Sequence, residues 1–62
     1  MNARKWYSYP KREPSLLGLY AVVTEKGVLA YLMWNDIPRE WDEAGVVWWD
    51  TLTDKERSAH GE

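Results

Sequence analysis

Residues 16–24 and 28–34 are two β-rich runs around Glu25-Lys26-Gly27, and no other feature restricts the fold of this chain as much. A three-residue connection with glycine last suits a type I turn followed by a left-handed residue, so the segment predicts a β-hairpin. Pairing Thr24 with Val28 places Val22 opposite Ala30, Tyr20 opposite Leu32 and Gly18 opposite Trp34 on one face. The other face pairs Val23 with Leu29, Ala21 with Tyr31 and Leu19 with Met33. Trp34 is expected to lie over Gly18, as an aromatic ring covering a strand glycine. Both faces are apolar, whereas a lone hairpin usually keeps one face for water. Later chain must therefore cover one face, or a partner must.

At 62 residues, the chain is read as a single domain, residues 1–62, with 1–4 and 61–62 flexible. A domain this small needs reinforcement, and with no cysteine it has neither disulfides nor a thiolate zinc site. Five Trp and four Tyr are the available substitute. Phe is absent, so each of these rings carries a polar hydrogen that needs an acceptor or water. Residues 5–9 have the composition of a short strand, and Pro10 and Pro14 bracket a loop. Pro38 suits the first turn of a helix, with Asp36 or Ile37 capping it and Gly45 ending it, which predicts a helix over 38–44. Val46-Val47-Trp48-Trp49 reads as a strand or a buried connector. In an extended run Trp48 and Trp49 point to opposite faces, one to the core and one towards the surface. Thr53-Asp54-Lys55-Glu56 matches a capping box and predicts a last helix over 53–60. The expected fold class is α+β: a small antiparallel sheet of two to three strands built on the 16–34 hairpin, with one or two short helices in 38–60.

A catalytic apparatus is hard to assemble from these residues. His60, the only histidine, stands two positions from the end of the chain, where a base is poorly held. Ser58 is its nearest hydroxyl, but two residues apart on a helix the side chains diverge. Asp42 and Glu43 are adjacent and cannot face one another across a cleft as glycosidase carboxylates do. The acidic spacing does not resemble a calcium loop, and no glycine run cradles phosphate. The expectation is a protein that is not an enzyme and takes no cofactor or metal. Residues 16–23 are too few to span a bilayer, and the approach to them lacks signal-peptide character, so a cytoplasmic location is expected.

Charge is divided along the chain. Residues 1–15 carry a net +3 and residues 35–62 a net −5, within an overall −2. Opposite potentials on two faces would favour partners of opposite sign. A run of acids often does no more than keep a surface solvated, but with neighbouring indoles it also suits an interface. Asp36, Glu40, Trp41, Asp42, Glu43, Trp48, Trp49, Asp50 and Asp54 are the candidate partner-binding residues. The basic arm Arg4-Lys5-Trp6-Tyr7-Ser8-Tyr9-Pro10-Lys11-Arg12 carries the opposite signal: cations with interleaved rings follow the logic of single-strand binding. Its plainer reading is a strand whose rings pack on the hairpin, and that reading is preferred here. A third possibility is a small homo-oligomer pairing through an open sheet edge or apolar face.

Brevity, absence of cysteine, the acids Asp42, Glu43 and Asp50, and the tryptophans at 34, 41, 48 and 49 together resemble small phage- or mobile-element-encoded host inhibitors. Anti-CRISPR proteins and phage inhibitors of host RNA polymerase are of this kind. The resemblance implies a stoichiometric, non-enzymatic binder, monomeric or weakly dimeric, in the cytoplasm of a bacterial host. It would dock an acidic, Trp-bearing face on the basic surface of a nucleic-acid-binding host complex such as a CRISPR effector, without binding nucleic acid itself.

Overall fold

The computed structural model describes residues 4–60. The flexible ends expected at 1–3 and 61–62 lie outside the described residues. Arg4 makes an ion pair with Glu56. Among the described residues five strands follow in order: β1 (Tyr7–Ser8), β2 (Gly18–Thr24), β3 (Leu29–Asp36), β4 (Arg39–Trp41) and β5 (Val46–Asp50). One short helix, α1 (Asp54–Ala59), follows them. The strands form a single antiparallel sheet in the order β1-β5-β2-β3-β4, curled into a half-barrel. The fold is therefore mainly β, and the expected α+β domain with two to three strands is incorrect.

The β2–β3 hairpin takes the register read from the sequence, pair for pair from Gly18↔Trp34 to Val23↔Leu29. Gly27 has φ 76°, the left-handed conformation its turn position requires. The expected cover of Gly18 by Trp34 is not found: a Cβ built on Gly18 would meet nothing within 4 Å. The Trp34 ring turns into the core instead, against Trp41 at 5.0 Å and Tyr9 at 5.8 Å between centroids.

The helix expected over 38–44 is replaced by a second hairpin. Ile37-Pro38 forms its turn, and Trp41 pairs with Trp34, Glu40 with Asn35 and Arg39 with Asp36. A helix of hardly two turns gains little by itself, because nucleation is costly. As a strand the same residues bury the Trp41 indole against Trp34 while Arg39 and Glu40 stay exposed. Burying a ring that large outweighs local propensity.

The inner face of the half-barrel holds the core, formed by Val22, Leu32, Trp34, Trp41, Val46 and Trp49 with Tyr7, Tyr9 and Tyr20 packed against them. A bulge in β5 helps to assemble it. Val23 pairs with Trp48 and Thr24 with Val46, so Val47 is the extra residue. Strict alternation would put Val46 and Trp48 on the same face; the bulge turns Val46 inward and leaves Trp48 outside. Trp49 is buried and donates its Nε1–H to the Arg12 carbonyl at 2.8 Å, which fastens the 9–17 loop over the core. Tyr20 donates its hydroxyl to the Leu16 carbonyl at 2.8 Å, and burial pushes its phenol above the ordinary value of 10.0.

The outer face is covered in part by α1 and by the residues preceding β1. The capping box forms as expected: the Thr53 hydroxyl accepts from Glu56 N at 3.2 Å, and the Glu56 carboxylate accepts from Thr53 N at 3.0 Å. Glu56 also accepts the Tyr31 hydroxyl at 2.7 Å, so the cap residue itself ties the helix to β3. Thr53→Ala is expected to cost about 1 kcal/mol, the usual value of such a cap. In a domain of this size that lowers the melting temperature by about 4–8 °C, which thermal unfolding followed by circular dichroism would measure.

Candidate functional site

The residues expected to bind a partner separate into two groups. Trp41, Trp49 and Asp50 are buried, which excludes them as surface contacts. Trp41 and Trp49 face the inner core. Asp50 lies on the outer face beneath the N-terminal segment, accepting from Lys5 N at 3.2 Å and Thr51 N at 2.8 Å. Sequence reasoning placed Trp41, Asp50 and one of Trp48 and Trp49 at the surface because acids and indoles near one another suggest an interface. The half-barrel uses the indoles to fill its core and the carboxylate to hold two backbone amides.

Asp36, Glu40, Asp42, Glu43 and Asp54 are exposed. Asp54 belongs to α1 and makes a 3.7 Å ion pair with Arg57. Asp36 ends β3 beside Arg39, whose guanidinium lies 3.9 Å from it and 3.0 Å from Glu13. Glu40, Asp42 and Glu43 form the centre of the acidic surface. They lie on β4 and on the loop that leaves it, where Asp42 N donates to the Met33 carbonyl at 3.2 Å and Asp42 Oδ1 accepts from Asn35 Nδ2 at 2.9 Å. The same loop passes the tip of the first hairpin, where Glu25 N donates to the Gly45 carbonyl at 2.8 Å. Glu25 thereby joins the acidic surface. Nothing in the sequence signals this, since only the route of the loop brings residue 25 beside residue 45.

A cleft of about 380 Å³ opens at this place, walled by Tyr9, Glu40, Trp41, Asp42 and Glu43. Its position follows from the topology. β1 and β4 are the two free edges of the curled sheet, and Tyr9, just beyond β1, reaches across to Trp34 and Trp41. The cleft sits at this seam. The Nε1–H of Trp41, one of the cleft's lining residues, is buried and has no hydrogen-bond partner among the described residues. A buried donor left unpaired costs about 1–3 kcal/mol, so this atom stands out in an otherwise well-satisfied core.

Trp48, 44% exposed, lies on the outer face. It continues in register through Val23 to Leu29, an apolar row across β5, β2 and β3. Trp6 lies beside Trp48 and Val23, held at φ 51°. The basic arm offers few free rings for stacking bases. Tyr7 and Tyr9 pack on the core, Arg12 lies over Tyr7 at 4.8 Å, and Arg4 lies over Trp6 at 5.0 Å.

Among the described residues, no group of three or more His, Cys, Asp or Glu could hold a metal ion, and no helix is long and apolar enough to cross a membrane. Comparison with protein-family models, curated proteins and solved structures finds no match to this chain.

Proposed function

We propose that this chain is a non-enzymatic binding protein whose acidic surface docks on a basic, nucleic-acid-binding surface of a larger host complex, blocking access to it. The observation that supports this reading is the gathering of Glu25, Glu40, Asp42 and Glu43 at the β4–β5 loop, with Glu40 and Glu43 making no ion pair among the described residues. Opposed carboxylates raise the association rate with a basic partner and exclude nucleic acid from the same surface. Trp48, with Val23 and Leu29 in its row, supplies the apolar anchor that Trp41 and Trp49 cannot.

The test is a charge reversal. The double variant Asp42→Lys/Glu43→Lys alters exposed side chains only, so it is expected to fold. Proteins retained from a bacterial lysate by the wild-type chain are expected to be lost by the variant. Added single-stranded DNA should compete for them, and retention should weaken as salt rises. Undiminished retention by the double variant would overturn the reading.

A further inference from the structure

The sheet leaves one length of strand without a neighbour. Thr24 N donates to the Val28 carbonyl at 3.0 Å, and with the β2–β3 register this sets Ala30, Leu32 and Trp34 to bond β2. Leu29, Tyr31 and Met33 therefore turn their N–H and C=O groups to the opposite edge. There β4 pairs with β3 only over Trp34–Asp36, and the Met33 carbonyl takes Asp42 N at 3.2 Å. Leu29 and Tyr31 have no backbone partner on that side among the described residues. The outermost strands carry the usual protection against pairing: β1 is two residues long with Pro10 close behind, and β4 carries Arg39 and Glu40 after Pro38. Val28-Leu29-Ala30-Tyr31-Leu32 has no charge and no proline. Val28 and Leu29 are each about half exposed.

We propose that this free length of β3 pairs antiparallel with the same strand of a second copy of the chain, joining two half-barrels into one continuous sheet. The occupant follows from the register. Only a two-fold axis at Ala30 brings both outward residues into a ladder and stops short of Asp42. Leu29 then pairs with Tyr31 of the second copy, each N–H meeting the other's carbonyl, and Ala30 meets Ala30. That axial pair is one without hydrogen bonds, where side chains come closest, and alanine is the smallest residue of β3. Leu29 gains the Tyr31 ring of the second copy as its neighbour, and Val28 falls opposite Leu32, so two exposed apolar side chains become covered. Charge agrees with this register. Beyond Val28, the turn brings Lys26 to the place where Asp42 and Glu43 of the second copy leave β4. All three side chains are exposed and make no ion pair among the described residues. Each end of the ladder therefore sets opposite charges together, which an unrelated extended peptide would not supply. Each copy has one such edge, so assembly closes at the dimer, and a ladder this short makes the dimer transient.

Sedimentation equilibrium of the full chain measures the assembly, and hydrogen exchange locates it. A monomer–dimer equilibrium is expected, with no larger species. The Leu29 and Tyr31 amides should exchange quickly in dilute protein and gain protection as the dimer fills, while the Ala30 and Leu32 amides stay protected throughout. Leu29→Pro removes an outward N–H and leaves the β2–β3 ladder intact. It should stay folded by circular dichroism and dimerise at least about tenfold more weakly. Lys26→Glu should weaken the dimer about tenfold by setting like charges at both ends. Mixing it with Asp42→Lys/Glu43→Lys should restore the affinity, because the mixed dimer has opposite charges at each end. A wild-type chain still monomeric at about 1 mM refutes the pairing. So does a dimer in which Leu29 and Tyr31 stay unprotected, which would place the contact elsewhere, as on the Trp48 row. A mixture that fails to recover the affinity refutes the register. Acidic docking is read apart from all of these, since Lys26→Glu keeps every carboxylate of that surface and should still retain the lysate proteins.

Discussion

Trp34→Ala is expected to unfold the domain, and Trp48→Ala to leave it folded. Trp34 is 1% exposed and lies at the join of the two hairpins, where it meets Trp41 across β3–β4 and Tyr9 across the seam. Removing a buried ring of this size costs about 3–5 kcal/mol, from lost transfer energy and the cavity left behind. A core in a chain this short rarely supplies more than about 3–5 kcal/mol in total, so the loss consumes the net stability. Trp48 has the same side chain on the opposite face, 44% exposed, and its truncation should cost less than about 1 kcal/mol. Near-ultraviolet circular dichroism and urea titration of both variants would separate them. Cooperative unfolding of Trp34→Ala at the wild-type midpoint would rule out a core built around the Trp34 ring.

The contrast between these two tryptophans also shows what the sequence could and could not reveal. The first hairpin was legible residue by residue, because Glu25-Lys26-Gly27 sets the loop length and the loop length sets the register. The division of Trp48 from Trp49 followed from strand alternation, though which of them turned inward did not. That choice is set by the pairing of Trp49 with Val22, which is visible only once β5 pairs with β2. β4 was misread as helix because Pro38 and Gly45 punctuate a helix and a short hairpin equally well. What decides between them is the long-range burial of Trp41 against Trp34, Tyr9 and Tyr20. The acidic surface was legible as a run of residues, but its membership was not. Asp50 leaves it for the outer face of the sheet, and Glu25 enters it from the other hairpin.

Asp50→Ala is expected to lower stability by roughly 2–4 kcal/mol without involving any partner, the cost of removing a charged acceptor from two amides. Both amides are backbone donors. Thr51 N is held at the exit from β5, and Lys5 N lies forty-five residues away in sequence, in the segment that carries Arg4 and Trp6 over the outer face. Ala21, paired with Asp50 across β2–β5, is fully buried, so an alanine at 50 can pack there but cannot satisfy the donors. Releasing Lys5 should also loosen Arg4 from Glu56, the residue that closes the capping box and binds Tyr31, so the arm and α1 should weaken together. Asp50→Asn keeps the volume and a carbonyl oxygen for one amide, and should recover part of the loss. Hydrogen exchange at the Lys5 and Thr51 amides, measured beside the urea midpoint, distinguishes this clasp from simple filling of space. The clasp requires both amides to lose protection in Asp50→Ala; a destabilised variant in which Lys5 stays protected would mean that the arm is held by Trp6 and Arg4 alone.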